Sequence, residues 1–110
     1  MEKLSNQKCV PCAVGGDPLT SSEIEKVLPQ LEDKWIVTNS NKRLEREFKF
    51  KNFVATMRFI NQVADLAEAE GHHPDLHIHY NNVKIELWTH AVGGLSLNDF
   101  IVASKIDKVG

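Results

Sequence analysis

The sequence has no run of apolar residues approaching the roughly 18 needed to cross a bilayer as a helix, so no membrane span is expected. It has no surplus of positive charge either. The formal net charge is −2, and Lys and Arg are scattered rather than gathered into a stripe that neutralises phosphates, which removes nucleic acid from the expected partners. The opening MEKLSNQKC lacks the apolar stretch of a secretory signal, and the expected location is cytoplasmic. Cysteine is scarce: Cys9 and Cys12 are the only two, and they form a C-x-x-C. That spacing suits a redox pair or half a zinc site. A redox pair would sit between a strand and a helix, whereas CVPCAVGGDP is rich in Gly and Pro, so residues 1–18 read as a flexible arm with reduced thiols.

What is present is the balance of an ordinary globular protein, 42% hydrophobic and 25% charged over 110 residues, enough for one core. One domain over residues 19–110 is expected. Thr20 followed three residues later by Glu23 is a capping box, and Ile24, Val27, Leu28 and Leu31 recur at helical spacing. They predict a first helix over residues 21–31, bent or shortened by Pro29. DKWIVTNSN and KRLEREFKFKN read as antiparallel strands around the polar turn Asn39 to Asn41. The second strand puts Leu44, Arg46, Phe48 and Phe50 on one face and Glu45, Glu47 and Lys49 on the other. Asn52 caps a second helix that Gly71 ends, with Phe53, Met57, Ile60, Ala64 and Ala67 as its core stripe. Ser96 and Asp99 start a last helix carrying Phe100, Ile101, Ala103 and Ile106. The order predicts an α+β fold, α-β-β-α-β-β-α, a four-stranded antiparallel sheet with its helices packed on one face.

Four of the five histidines fall within EAEGHHPDLHIHY, residues 68–80. Pro74 takes the chain out of the second helix, and DLHIHY, NN and VKIELWTH read as a hairpin turning at Asn81 and Asn82. This register sets Tyr80 opposite Val83, Ile78 opposite Ile85 and Leu76 opposite Leu87 on the core face, leaving His77, His79, Lys84, Glu86 and Trp88 on the outer face. Carried further, it sets His90 opposite His73, so that His72, His73 and His90 converge beside the end of the second helix. Imidazoles exchange protons near neutrality, and such a cluster can bind and protonate a polar heterocycle. The plainer alternative is that adjacent histidines cap the helix and fill a turn. His77 and His79 make an H-x-H pair, but no carboxylate or Cys lies at an obvious ligand spacing and H-E-x-x-H is missing, so no native metal is expected.

Glu68, His72, His73, Pro74, Tyr80, His90 and Asp99, at their mutual spacings, resemble the signature of the pterin-4a-carbinolamine dehydratases. Trp35, FKFKNF and GLSLND extend the resemblance over nearly everything from Leu19 onward. It implies dehydration of 4a-hydroxytetrahydrobiopterin to quinonoid dihydropterin, the step that lets pterin-dependent aromatic amino acid hydroxylases reuse their cofactor, without a cofactor of the dehydratase's own. It implies a pterin pocket lined by His72, His73 and His90, with His72 and His90 the preferred acid and base. Asp99 would orient a histidine or the substrate, or serve only as a helix-cap acid. Trp88 would wall the pocket or lie in a subunit contact. Glu68 would support the site from behind or sit on a solvated helix face, and Pro74 and Tyr80 are scaffold. Some relatives act as dimerisation partners of a transcription factor, so the alternative function is a non-catalytic binding module. A homodimer through sheet edges, or a homotetramer through helices, is the expected assembly.

Overall fold

Local signals in the sequence fix most element boundaries in the computed structural model, which describes residues 3–9 and 16–109. Helix α1 (Ser21–Val27) begins at the capping box: the Thr20 hydroxyl accepts from the Glu23 amide at 3.2 Å, and the Glu23 carboxylate accepts from the Thr20 amide at 2.9 Å. Such a cap contributes about 1 kcal/mol. Pro29 has no N–H to return to the preceding turn, so the helix stops and residues Leu28–Gln30 tighten into a 3₁₀ turn. Strands β1 (Ile36–Thr38) and β2 (Arg43–Lys49) follow, joined by Asn39, Ser40 and Asn41, all at positive φ. Asn is among the few side chains that accept that region at low cost.

The 18-residue helix α2 (Phe53–Glu70) starts where the Asn52 side chain accepts from the Ala55 amide at 2.9 Å and ends at Gly71, φ 65°. Its buried stripe is Thr56, Phe59, Ile60, Val63 and Ala67. The expected stripe is therefore rotated. Phe53 is 48% exposed and Ala64 is exposed, because the larger payload of Phe59 and Val63 turns inward. Phe59 packs on Phe48 and Phe50 with ring centroids 4.7 and 5.0 Å away. Burying each such side chain stabilises by about 1.5–3 kcal/mol.

Strands β3 (Asp75–His79) and β4 (Asn82–Leu87) complete a four-stranded antiparallel sheet in the order β1-β2-β4-β3. The hairpin turns at Tyr80 and Asn81 rather than at Asn81 and Asn82, and the Asn81 carbonyl is fixed by the Phe50 amide at 2.8 Å. The observed partners are Leu76 with Ile85 and Ile78 with Val83, a shift of two residues from the expected pairing. An even shift preserves the faces: Val83, Ile85 and Leu87 are buried while Lys84 and Glu86 point outward. Tyr80 takes up the positive φ of the turn, 49°, and stacks on Phe53 at its 63% exposed position.

Helix α3 (Leu97–Val109) is buried around most of its girth, with α2 on one side and the N-terminal turn Leu4–Asn6 on another. Leu4 is 1% exposed and joins the core, so the segment expected as an arm supplies an anchor at its first turn. Cys12 lies outside the described residues. Arg46, the one charged residue on the inner face of β2, pairs with Asp107 of α3, whose carboxylate also accepts from Trp35 Nε1 at 2.6 Å. That partner is what makes a cation tolerable there. The helices thus cover one face of an antiparallel sheet, the α+β arrangement expected.

Candidate active site

Gly71 determines where the site begins. Its left-handed conformation ends α2, turns the chain at once, and lets the His72 amide reach the Ala67 carbonyl at 3.2 Å. The His72 ring is thereby aimed at the first turn of α3. There its Nε2 meets Asp99 Oδ1 at 2.6 Å, with Asp99 fully buried and the His72 side chain 13% exposed. The second oxygen, Oδ2, accepts from the Thr89 hydroxyl at 2.8 Å and from the Ser96 amide at 2.9 Å. The Ser96 hydroxyl lies 2.8 Å from that of Thr89. Asp99 already accepts from Thr89 and Ser96, and a carboxylate has no hydrogen to give, so the hydrogen between it and His72 sits on Nε2 and Nδ1 is left for proton exchange. Asp99 does cap α3 as a sequence reading allows, and the same carboxylate orients His72.

Thr89 links this pair to the next histidine. It follows β4 and bridges to Gly94, donating to the Gly94 carbonyl at 2.8 Å, which closes the loop that presents His90. A side chain at Gly94 would crowd the segment leading to α1, since a β-carbon there would lie 3.0 Å from Pro18 Cβ. His90 opens a short 3₁₀ turn, His90–Val92, and its ring packs against Trp88 with centroids 3.7 Å apart and planes tilted by 40°. His72, Asp99, Thr89 and His90 thus form one connected path through three hydrogen-bonded or peptide-bonded steps.

His73 stands apart from that path. Its Nε2 meets Glu68 Oε2 at 2.5 Å, with side chains 62% and 76% exposed. The hairpin register expected to set His90 opposite His73 is not observed. The β4 strand ends at Leu87, and extending the actual pairing sets Trp88 level with His73. His77 lies on the outer face, half exposed, 3.0 Å from Glu86. No group of three potential metal ligands occurs among the described residues.

Three contributors were not singled out in the sequence. Thr89 joins the two histidine segments, and its only signal was its place beside His90 on the inward parity of β4. Arg43 lies over Trp88 at 4.1 Å, and Asp75 accepts from Trp88 Nε1 at 3.2 Å. Behind the site, the buried Glu70 carboxylate receives Lys105 Nζ at 2.7 Å and the Cys9 amide at 2.8 Å. The hydrogen bond from Lys105 holds the Glu70 carboxyl below the usual carboxylate range against its own desolvation. Burial, reinforced by Glu70, pushes the Cys9 thiol up to about 12, so it stays protonated. A cavity of about 460 Å³ at the far end of α3 is lined by Leu4, Gln30 and Asp107, but Asp107 is already committed to Arg46 and Trp35. The groups able to move protons are gathered at the histidines.

The family profile described as "Pterin 4 alpha carbinolamine dehydratase" matches residues 17–109. A protein of Alkaliphilus metalliredigens (strain QYMF) is 48% identical over 98% of this chain and 96% of its own length, and one of Legionella pneumophila (strain Corby) is 48% identical over 96% and 94%. Both carry the name "Putative pterin-4-alpha-carbinolamine dehydratase". Among solved structures, a "transcriptional coactivator/pterin dehydratase" from Brucella melitensis superposes with a TM-score of 0.79 at 34% identity, covering 84% of this chain and 98% of that one. A pterin dehydratase-like protein described as a RuBisCO assembly factor shares the fold, with a TM-score of 0.62 at 22% identity over 71% and 90%. With the profile matched over most of its length and relatives 48% identical along nearly all of it, the chain belongs to the family of pterin 4 alpha carbinolamine dehydratases.

Proposed function

We propose that the protein removes water from 4a-hydroxytetrahydrobiopterin to give the quinonoid dihydropterin, by histidine acid and base catalysis, and so supports tetrahydrobiopterin recycling for aromatic amino acid hydroxylases in the cytoplasm. A proton is placed on the 4a-hydroxyl oxygen, the C–O bond breaks with its electron pair leaving as water, and a proton lost from the adjacent ring nitrogen releases the pair that forms the new C=N bond. Two proton transfers suffice, and imidazoles near neutral pH are suited to both. The observation that carries this reading is the buried His72–Asp99 pair, joined through Thr89 to the segment bearing His90, in a chain of this family. His72 and His90 are the acid and base, His73 lines the pocket from the solvent side, and Asp99 holds the tautomer of His72.

The test is the decay of enzymatically generated 4a-hydroxytetrahydropterin, followed by ultraviolet absorbance in chelator-treated buffer. Fast decay with wild type and background decay with His72→Ala is the expected result. No acceleration by folded wild type would remove the enzyme reading.

A second reading, a binding module, draws on the coactivator named for the Brucella structure and on apolar side chains at the sheet edges, Ile36 55% and Ile78 37% exposed. Edge strands invite pairing with another chain, and a homodimer or homotetramer fits them. Light scattering of wild type and Ile78→Glu tests this, with dissociation of the variant expected.

A further inference from the structure

We propose that Arg43 and Trp88 form a clamp that positions His90, Arg43 acting through the indole rather than on substrate. The inference rests on the reading of His90 as a catalytic residue. Strand pairing builds the clamp across the outer face of the sheet: Leu44 faces Leu87, which brings Arg43 level with Trp88, and Asp75 of β3 faces Glu86. The guanidinium carbon of Arg43 lies 4.1 Å from the centre of the Trp88 ring, and the His90 ring centre lies 3.7 Å from it. The guanidinium lies over the indole, and the imidazole packs on it tilted by 40°. Asp75 fixes the indole in its plane by accepting from Nε1 at 3.2 Å. The same Asp75 oxygen and Glu86 each lie 3.7 Å from an Arg43 nitrogen, holding the guanidinium over the ring.

Two consequences follow from these contacts. Trp88 is engaged by Arg43 and by His90 at once, so a change at Arg43 reaches the site through the indole and His90. And His90, exposed and at the head of a short turn, has this ring contact to fix its ring plane. A plane set by a cation from β2, a carboxylate from β3 and the indole that follows β4 is rigid in the way a proton-transfer group requires. A lysine cannot lie flat on the indole as the guanidinium does.

The experiment combines kinetics with proton magnetic resonance of the histidine rings in the full chain. In wild type the His90 ring resonance, identified by its loss in His90→Gln, is expected upfield of those of His77 and His79, because it sits over the indole. In Arg43→Met that displacement shrinks and kcat falls on the order of 10-fold, with KM changed less than about twofold. Arg43→Lys recovers part of both. Trp88→Leu, which removes the plate itself, abolishes the displacement with a kcat loss at least as large, and decides the matter if Arg43→Met unfolds on heating far below wild type. An unmoved His90 resonance in Arg43→Met, or an unchanged kcat despite a moved one, overturns the clamp. An inactive wild type overturns the dehydratase reading instead, and the resonances then still report whether Arg43 holds the stack.

Discussion

His72 and His73 are neighbours in the chain, and each holds a carboxylate through Nε2, at 2.6 Å to Asp99 and 2.5 Å to Glu68. The first pair is 13% and 0% exposed, the second 62% and 76%. The same division runs through the last turn of α2, where Glu68 faces solvent and Glu70 is tied to Lys105 and Cys9 against α3. An exposed pair is screened by water and contributes about 0.2–1 kcal/mol, whereas a buried one is costly to break and keeps its geometry. One chemical motif, repeated on adjacent residues, is thus fixed on the α3 side and replaceable on the solvent side.

The largest effect is expected at Asp99. Asp99→Asn keeps the volume but sets an amide N–H₂ against donors, so at least one of the His72, Thr89 and Ser96 hydrogen bonds is lost in a fully buried place. Stability should fall by about 2 kcal/mol, read as a lower midpoint in urea. Turnover should fall more than about 10²-fold, because His72 then loses the partner that sets its tautomer. Loss of activity with unchanged stability would mean that Asp99 acts on substrate rather than on the framework.

Next comes the adjacent pair of rings. His72→Ala should lower turnover on the order of 10²-fold, and His73→Ala distinctly less, on the order of 10-fold or below, when both are assayed at saturating pterin. Equal losses would break the comparison, since they would show that burial is not what separates the two.

Glu70 sharpens it on the stability side. Its carboxyl is held below the usual range chiefly by the hydrogen bond from Lys105. A lowered folded-state pKa stabilises fully above the unfolded value of about 4.3, and that contribution is lost as pH falls through the folded value. Glu70→Gln should therefore be about 2 kcal/mol less stable than wild type at neutral pH, with the gap narrowing below about pH 4. Urea titrations at the two pH values measure it. A gap that widens in acid would contradict the assigned sign.

Much of this arrangement is legible before any coordinates, and the limits are physical. Thr20 with Glu23, Asn52, Pro29 and Gly71 mark helix ends because capping and chain reversal are local, and all four act as expected. The β3–β4 register is not local. Period-two alternation is blind to a shift of two residues, and the Asn81–Asn82 pair suggested a turn one position later than the one formed. Likewise the α2 stripe could be drawn through Phe53 and Ala64 or through Phe59 and Val63, and only the presence of Phe48 and Phe50 chooses the latter. Asp99 showed itself as a cap, a property of its own helix, while its bond to His72 spans 27 residues and depends on how α2 meets α3. Family spacing supplied what periodicity could not.

The smallest effect is expected at His77. It belongs to the same sequence cluster as His72, yet it faces outward on β3, half exposed, and its partner Glu86 also lies near Arg43 and Lys84. Removing one ring from a crowded surface network leaves its charges with other partners, so His77→Ala should change stability by less than about 0.5 kcal/mol. Turnover should stay within about twofold, since no bond from His77 runs toward His72, Asp99 or His90. The indirect route is Glu86, which steadies Arg43. A kcat loss of about 10-fold in His77→Ala, accompanied by a moved His90 resonance, would place His77 behind the Arg43–Trp88 clamp. The same loss with an unmoved resonance would mean that the outer face of the sheet takes part in the reaction directly, and the division between the two faces would have to be redrawn.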